Sequence, residues 1–219
     1  MVDITIFIEG GAISNSSSVL TVDNSAIFRE SFYNLFSQKL SPLEFNLKIQ
    51  PFGSITQTRN MLLKIHKHSI KAVLLIDLDM PKEKKDERLK KYDPFETSII
   101  FFMIQEMEAW ILSQVDKIEQ FGKIEGLIRK KQDKNIRDNV LLKNIHPEKI
   151  KNPGDKLDTI LRQYFDVVKK RDKNRTSGKR YLKGKDGPKL IRLLDLNLLI
   201  QDFDEAKRLI DFIKKQQKN

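Results

Sequence analysis

Two aspartates follow a long apolar run in the segment KAVLLIDLDMP, residues 71–81. Asp77 and Asp79 are separated by one leucine, and residues 73–76 before them are Val, Leu, Leu and Ile. Carboxylates this close repel each other, and burying either one is costly unless it is paired with a cation or bound to a metal. The pattern indicates a cation site at the end of a buried strand. The local alternative is that Asp77 caps the strand end and Asp79 caps a turn before Pro81.

Oxygen ligands restrict the metal that such a site would take. Mg²⁺ prefers octahedral oxygen coordination and usually takes one or two protein carboxylates, leaving water and substrate phosphate to complete the shell. A third acid from a neighbouring strand can hold a second ion or act as a general acid or base, and Glu9 is the candidate. The chain has no cysteine and three histidines, so thiolate sites are excluded and imidazole clusters are disfavoured.

Alternating and continuous apolar runs predict the elements that position these acids. Four strands are predicted, in the segments DITIFIE, LEFNLKIQPF, KAVLLID and SIIFFMI. Helical patterns lie between them: one helix is capped by Asn24 or Ser25, a second runs from about Ser54 to Lys67, and a third is QEMEAWILSQ. This order predicts an α/β fold with a mostly parallel sheet flanked by helices. Ligands of such sheets bind beyond the carboxyl ends of the strands. The acids at that edge are Glu9, Asp77, Asp79, Glu106 and Glu108.

Positive charge is concentrated late in the chain. The formal net charge is +11, yet residues 1–80 carry equal numbers of acidic and basic side chains. Residues 169–189 contain ten Lys or Arg against two Asp, which predicts salt-dependent binding to phosphate backbones. The alternative is a solvated, mobile loop. The candidate nucleic-acid contacts are Lys170, Arg171, Arg175, Lys179, Arg180, Lys183 and Lys185.

Two further residues of the basic segment have candidate roles. Lys183 could neutralise charge on a phosphate in a transition state, or bind backbone phosphates with its basic neighbours, and we favour the second. Tyr181 is a candidate for stacking on a base.

The sequence predicts a domain boundary near residue 130, although its position is not sharply defined. We expect residues 1–130 to form the α/β domain and residues 131–219 to form a helical extension with a basic loop at 169–189, packed on the first domain because no Gly/Ser linker separates them. The chain start lacks signal-peptide features, and the longest apolar run, 99–104, is too short to span a bilayer. These features predict a soluble cytoplasmic protein with no membrane partner.

The order of the acidic motifs resembles a known domain. A strand ending in IFIEGG, followed by LLIDLDMP at the end of a later strand, resembles the Toprim domain of topoisomerases, primases and OLD-type nucleases, over roughly residues 3–112. The segments MIQEMEAWILSQ and YLKGKDGPKLIRLLD also resemble the bacterial Toprim-like family catalogued as domain of unknown function 4276, which extends the resemblance nearly end to end.

The resemblance implies a Mg²⁺-dependent nuclease-like centre that holds one or two ions, with Mn²⁺ as a substitute. Glu9, Asp77, Asp79 and Glu108 match the family's acidic positions. Members are commonly encoded beside ABC-type or OLD-like ATPases in settings associated with defence against phage. The resemblance therefore also implies an ATPase partner.

Glu106 and Glu108 are predicted to diverge. In a helix over 105–112 their side chains point about 200° apart, so only one lines the site, and the resemblance favours Glu108. The alternative for either is an exposed first-turn acid favoured by the helix dipole.

Three functions remain open from the sequence. The first is a metal-dependent phosphodiesterase acting on DNA or RNA, with Asp77 and Asp79 as ligands, Glu9 as ligand or general base, and Glu108 as a further ligand. The second is a non-catalytic Toprim-like partner or regulatory subunit of an ATPase. The third is a phosphatase of the haloacid dehalogenase type, whose Asp-x-Asp motif normally opens the chain.

Overall fold

A computed structural model describes residues 1–10, 19–169 and 172–217. None of the helices in these ranges is long and apolar enough to cross a bilayer. The candidate contacts Lys170 and Arg171 lie outside the described residues.

The first half of the chain is built on a four-stranded, all-parallel sheet with strand order β2-β1-β3-β4. The strands are β1 Val2–Ile8, β2 Phe45–Pro51, β3 Ala72–Asp77 and β4 Ile100–Met103. Every residue of β3 and β4 is buried, because helices cover both faces of a parallel sheet and leave no solvated side. The predicted α/β class and the four-stranded sheet are confirmed.

Alternate residues of the strands pack into two separate hydrophobic layers. Ile6 and Leu75 pack in the layer that contains the first helix, whereas Phe7 and Leu74 pack in the opposite layer. The helices of this half are α1 Val19–Ser37, α2 Thr58–His68, α3 Lys85–Lys90, α4 Met107–Ser113 and α5 Val115–Ile124. The prediction that Asn24 or Ser25 caps α1 is wrong, since both lie inside the helix: capping-type residues also occur within helices when their neighbours continue the hydrogen-bond ladder.

The second half contains a small sheet that the sequence patterns do not predict. Its antiparallel strand order is β5-β6-β7. The elements are β5 Ile128–Arg129, α6 Pro153–Tyr164, β6 Phe165–Lys169, β7 Asp172–Gly178, α7 Lys183–Leu193, α8 Leu196–Asp202 and α9 Asp204–Lys215. The helical carboxy-terminal region is confirmed. The basic segment 169–189 is wrong as a loop, because it supplies β7 and the first turns of α7; β7 pairs with its neighbour although its own sequence, DKNRTSG, has no apolar alternation.

One hydrophobic core runs across residue 130. Trp110 of α4 packs against Phe203, with ring centroids 6.2 Å apart, and Phe101 of β4 packs against Phe212 of α9 at 5.5 Å. The division at residue 130 stays a prediction.

The last helix covers the open edge of the large sheet. β4 is an edge strand, and its Phe102 N–H donates to Glu205 Oε2 (3.2 Å) while its Ile100 carbonyl accepts from Arg208 Nη2 (2.7 Å). Arg208 also donates to Glu205, as does Lys85 of α3 at 2.6 Å. Satisfying edge-strand groups in this way blocks pairing with another chain. Glu205 is therefore the junction of α9, α3 and the sheet.

Glu205→Gln is expected to lower the free energy of unfolding by about 2–3 kcal/mol, since it removes charge-assisted hydrogen bonds from Arg208 and Lys85. Burial raises the pKa of Glu205, but the hydrogen bonds from Arg208 and Lys85 outweigh it and hold the pKa below its ordinary value. Its stabilising contribution is thus complete above the unfolded-state pKa of about 4.3 and is lost as the pH falls through the lowered folded-state pKa.

Urea titrations between pH 3 and pH 7 measure this contribution. The wild-type protein should lose stability over the acid limb more steeply than Glu205→Gln. Glu87→Gln, which removes an exposed pair with Lys84, is the matched control and should leave stability nearly unchanged, because solvent screens exposed pairs. Equal effects of the two substitutions would contradict the role given to Glu205.

Gly122 in α5 lies directly under the ring of Phe165. A Cβ at this position would overlap Cε1 of that ring and lie 2.9 Å from Cζ. We expect Gly122→Ala to destabilise the fold by about 1–3 kcal/mol through overpacking, although alanine is the better helix former. Gly184→Ala in α7, where a Cβ meets nothing within 4 Å, is the control and should leave stability unchanged or raise it. Thermal unfolding of both variants checks this, and an equally stable Gly122→Ala would refute it.

Candidate functional site

Glu9 and Asp77 meet at the carboxyl edge of the parallel sheet. β1 and β3 are neighbours, so the residue after β1 lies beside the last residue of β3. Glu9 accepts two backbone hydrogen bonds, from Asp77 N–H to Oε2 (3.0 Å) and from Ile55 N–H to Oε1 (2.9 Å). Both oxygens of Glu9 are thus engaged by the backbone, which fixes the carboxylate against the end of β3.

Asp77 connects the sheet to the start of α4. Its side chain is buried, and Oδ1 accepts from the Met107 N–H at 2.9 Å. Its other oxygen, Oδ2, lies 3.8 Å from the ammonium of Lys183. One oxygen of Asp77 is therefore committed to the fold, and the other faces a cation.

Glu106 and Glu108 converge on that same ammonium. Lys183 Nζ lies 3.6 Å from Glu106 Oε2 and 3.3 Å from Glu108 Oε2. The prediction that only one of the two glutamates lines the site is wrong. Glu106 is the residue before α4 and has extended backbone angles (φ −147°, ψ 166°), so the helical angle of 100° per residue does not apply between them.

Glu108 is the most deeply buried acid of the group. Its residue is 0% exposed, and Oε1 accepts from the Tyr181 hydroxyl at 2.8 Å. Its Oε2 has no hydrogen-bond partner among the described residues. A buried, unsatisfied carboxylate oxygen calls for a cation, and Lys183 is the one that faces it. Tyr181 is thus bound to an acid of the site in this structure, whereas the sequence suggested a base-stacking role.

Asp79 lies at the rim. It is exposed, has a left-handed backbone (φ 53°), and donates its N–H to the Gln105 carbonyl at 2.7 Å. Its negative charge raises the pKa of Glu9 and of Glu106, which puts it within electrostatic reach of the cluster. It is not among the carboxylates that pair with Lys183.

The segment that leads into α7 is held in place directly before Lys183. The Tyr181 N–H donates to Asp158 of α6 at 2.7 Å, and the Leu182 N–H donates to Asp186 at 2.9 Å. Gly187 allows the tyrosine to lie close, because a Cβ there would be 2.8 Å from the Tyr181 hydroxyl oxygen. These contacts place Lys183 over the carboxylates.

The predicted nucleic-acid contacts divide into exposed and buried residues. Arg175, Arg180 and Lys185 are exposed. Lys179 is buried in an ion pair with Asp186 and lies over the ring of Phe121. The prediction that Lys179 contacts a phosphate backbone is wrong in this fold, because its ammonium already has a buried partner.

A cleft of about 710 Å³ opens beside the cluster. Its charged lining residues are the acids Glu106, Glu108, Asp155 and Asp158 and the bases Arg162, Arg180 and Lys183. An apolar groove of about 850 Å³ lies at the opposite edge of the sheet, remote from these acids. The cleft therefore gives solvent and small groups access to Glu106, which is partly exposed, whereas Glu108 lies buried beneath it.

Burial and neighbouring charges shift the pKa values of the acids in the site and of Lys183. Burial raises the pKa of Asp77 well above its ordinary value; Lys183 lowers it, and Glu108, Glu9 and Asp79 raise it further. Burial also raises the pKa of Glu9 and of Glu106. For Lys183, burial lowers the pKa, but its three carboxylate neighbours outweigh this and raise the pKa well above that of a free lysine.

The carboxylate oxygens of the site are ligands that suit a hard cation, but in this structure the described residues are not arranged around a metal ion. Within residues 1–10, 19–169 and 172–217, no three Asp, Glu, His or Cys side chains already form a metal-binding group. Glu9 has both oxygens bound to backbone N–H groups, and Lys183 lies among the other acids. Three carboxylate oxygens that share one ammonium, one of them buried without a hydrogen-bond partner, match Mg²⁺ or Mn²⁺ in donor chemistry once Lys183 moves away.

Comparison with protein families assigns the chain. The model of a family described as "Domain of unknown function (DUF4276)" matches residues 25–214. The chain belongs to this family. No curated protein and no solved structure gave a significant match. The relation of this DUF4276 chain to Toprim and OLD-type nucleases stays a prediction.

Sequence reasoning named Glu106 but set it aside, and it missed two contacts that build the site of this DUF4276 protein. Glu106 could have been found from its place directly before a helix, where caps have extended backbones. The Tyr181 contact with Glu108 joins residues 73 apart in sequence, and no local signal indicates it. The close approach at Gly187 likewise depends on how α7 packs.

Asp77→Asn is expected to stabilise the folded protein at neutral pH, since burial disfavours the ionised form of Asp77. Because the folded-state pKa of Asp77 is raised, ionising this side chain costs stability above that pKa. The asparagine keeps an acceptor for the Met107 N–H and removes the buried charge. The gain should be largest at pH 7–8 and should shrink as the pH falls through the raised pKa, where the wild-type carboxyl becomes protonated.

Chemical denaturation at several pH values measures this gain. Asp133→Asn, at an exposed position away from the cluster, is the control and should show no such pH dependence. A less stable Asp77→Asn at pH 7 would mean that the pairing with Lys183 outweighs the burial of Asp77.

Proposed function

We propose that this protein is a Mg²⁺-dependent phosphodiesterase that hydrolyses DNA or RNA. The observation that carries the proposal is that three carboxylate oxygens converge on one ammonium, that of Lys183, at the carboxyl edge of a parallel sheet. The oxygens are Asp77 Oδ2, Glu106 Oε2 and Glu108 Oε2. That edge is where α/β sheets bind ligands, and oxygen clusters of this kind serve metal-assisted phosphoryl chemistry.

Each acid has a distinct role in this proposal. Asp77, Glu106 and Glu108 would hold the cation, which when bound would neutralise charge that develops on the phosphate. Glu9 is a positioning residue, since its carboxylate holds the Asp77 and Ile55 N–H groups. Asp79, exposed at the rim, is the candidate to take a proton from the attacking water or to help hold a second ion.

Lys183 has a role in binding the substrate. Once away from the carboxylates, its ammonium would stabilise negative charge on a phosphate oxygen. Its side chain is about half exposed, so it can reach a phosphate in the neighbouring cleft.

A polyanionic substrate is supported by exposed side chains of the basic segment near the cleft. Arg180 lines the cleft, and Lys185 and Arg175 are exposed further along the same basic segment. These side chains bind phosphate without reading base or sugar, so the choice between DNA and RNA is left to the assay.

Control by an ATPase is proposed on the family resemblance. In this proposal an ABC-type or OLD-like ATPase binds the protein in the cytoplasm and releases its nuclease activity in defence against phage. No contact of the described residues specifies that surface.

A non-catalytic binding subunit is the second candidate. It is favoured by the Lys183 ammonium itself, which neutralises the acids without any metal. Burial of Asp77, with one oxygen held by the Met107 N–H, argues against the phosphatase alternative, in which the first aspartate must attack the substrate.

Purified protein with Mg²⁺ or Mn²⁺ at low salt, alone or together with its ATPase partner, should cleave at least one of single-stranded DNA, double-stranded DNA and transfer RNA. Asp77→Asn and Glu108→Gln should lower cleavage by about 10²-fold or more, because each removes charge from the proposed cation site. Glu83→Gln, at an exposed position before α3, should retain wild-type cleavage.

An ABC-type or OLD-like ATPase, the partner that the family resemblance implies, provides the second arm of this assay. Cleavage only in its presence would support the controlled nuclease. Metal-independent cleavage, or equal activity of Asp77→Asn and wild type, would refute the proposed site. Nucleic-acid binding without cleavage, with and without the ATPase, would favour the non-catalytic subunit.

A further inference from the structure

Lys183 occupies a point shared by three acids. Its Nζ lies 3.3 to 3.8 Å from one oxygen each of Glu108, Glu106 and Asp77. The three distances are similar, and none is as short as the 2.6 Å contact between Lys85 and Glu205 in the same fold. The ammonium is thus held by the combined charge of the acids and not by one close pair.

Glu108 needs this ammonium in the absence of a metal. The residue is fully buried, and its Oε2 has no hydrogen-bond partner among the described residues. An uncompensated buried charge is strongly destabilising. The lysine therefore supplies the positive charge that the folded, cation-free cluster requires.

The lysine side chain can leave while its helix stays in place. Before Lys183, the Tyr181 and Leu182 N–H groups are bonded to Asp158 and Asp186. After it, the Lys185 and Asp186 N–H groups donate to the Leu182 carbonyl at 2.9 and 2.7 Å, so the backbone on either side is fixed. Lysine has a flexible four-carbon stem, and the Lys183 side chain is about half exposed, so it has solvent beside it into which it can turn. The movement that is needed is a side-chain rotation.

We propose that Lys183 is an internal counter-ion that a divalent cation displaces from the carboxylates. Two cations cannot share the same three oxygens, so metal binding and the ion pairs of Lys183 exclude each other. The displaced ammonium moves toward the cleft beside the cluster, where it becomes available to a phosphate. Cation binding thereby prepares the substrate side of the site. This inference rests on the proposed function for the identity of the cation.

Direct Mn²⁺ binding, followed by calorimetry with no nucleic acid present, tests the proposal. Lys183→Met removes the competing charge and keeps the length of the side chain, so it should bind Mn²⁺ about tenfold more tightly than wild type. Lys183→Arg keeps the charge and should bind no more tightly than wild type. Lys185→Met removes an exposed lysine two residues away and should change Mn²⁺ affinity by less than about twofold, because exposed charges are screened.

A second measurement uses the wild-type protein, which avoids variants that fold poorly. Lysine acetylation is quantified by mass spectrometry with and without saturating Mg²⁺, with Lys185 as the internal reference. Labelling of Lys183 relative to Lys185 should rise with Mg²⁺, because an ammonium held among three carboxylates is shielded from the reagent.

The outcomes separate this proposal from the proposed function. Equal or weaker Mn²⁺ binding by Lys183→Met, or unchanged labelling of Lys183, would refute the counter-ion proposal. It would not contradict the proposed metal-dependent nuclease function. Absence of Mn²⁺ binding in both wild type and Lys183→Met would overturn both proposals. If Lys183→Met binds Mn²⁺ more tightly but the wild-type protein has no nuclease activity, the counter-ion proposal is supported and the proposed nuclease function is refuted.

Discussion

Repulsion between carboxylates is the constraint around which this fold is arranged. Parallel strands end at a common edge, so β1, β3 and the turn after β4 bring Glu9, Asp77, Glu106 and Glu108 together. Acids gathered at a partly buried edge raise one another's pKa and oppose folding. The structure offsets this with backbone N–H donors for Glu9 and with a single ammonium for the others.

That ammonium comes from a distant part of the chain. Lys183 opens α7, and its position depends on contacts with α6 and on the buried pair of Lys179 with Asp186. The small sheet takes part in this support, because the Lys179 N–H donates to the Phe165 carbonyl at the start of β6. The second half of the chain thus positions one positive charge, the Lys183 ammonium, beside the acids of the first half.

Stability and chemistry are in tension at this edge. A site that satisfied all its acids internally would fold more easily and would have no free oxygen for a ligand. Here Glu108 Oε2 is left without a hydrogen bond among the described residues, and burial raises the pKa of Asp77. Such strain is common where function competes with stability.

The sequence by itself determined the scaffold and half of the site. Apolar alternation in β1 and β2, the buried runs of β3 and β4, and the helices between them are local patterns, and their order leaves few topologies other than a parallel sheet. The positions of Glu9 and Asp77 at one edge follow from that topology. These features were predictable because each depends on residues close in sequence.

Only the tertiary structure decided how the acids are neutralised. Glu106 joins the site because it precedes its helix in an extended conformation. Lys179 is buried and Lys183 is placed over the acids, although the two belong to one basic segment and look alike in sequence. The polar strand β7 forms because β6 offers it a partner. Each outcome depends on groups that only packing brings together, such as Tyr181 and Glu108 across 73 residues, and no local pattern records that distance.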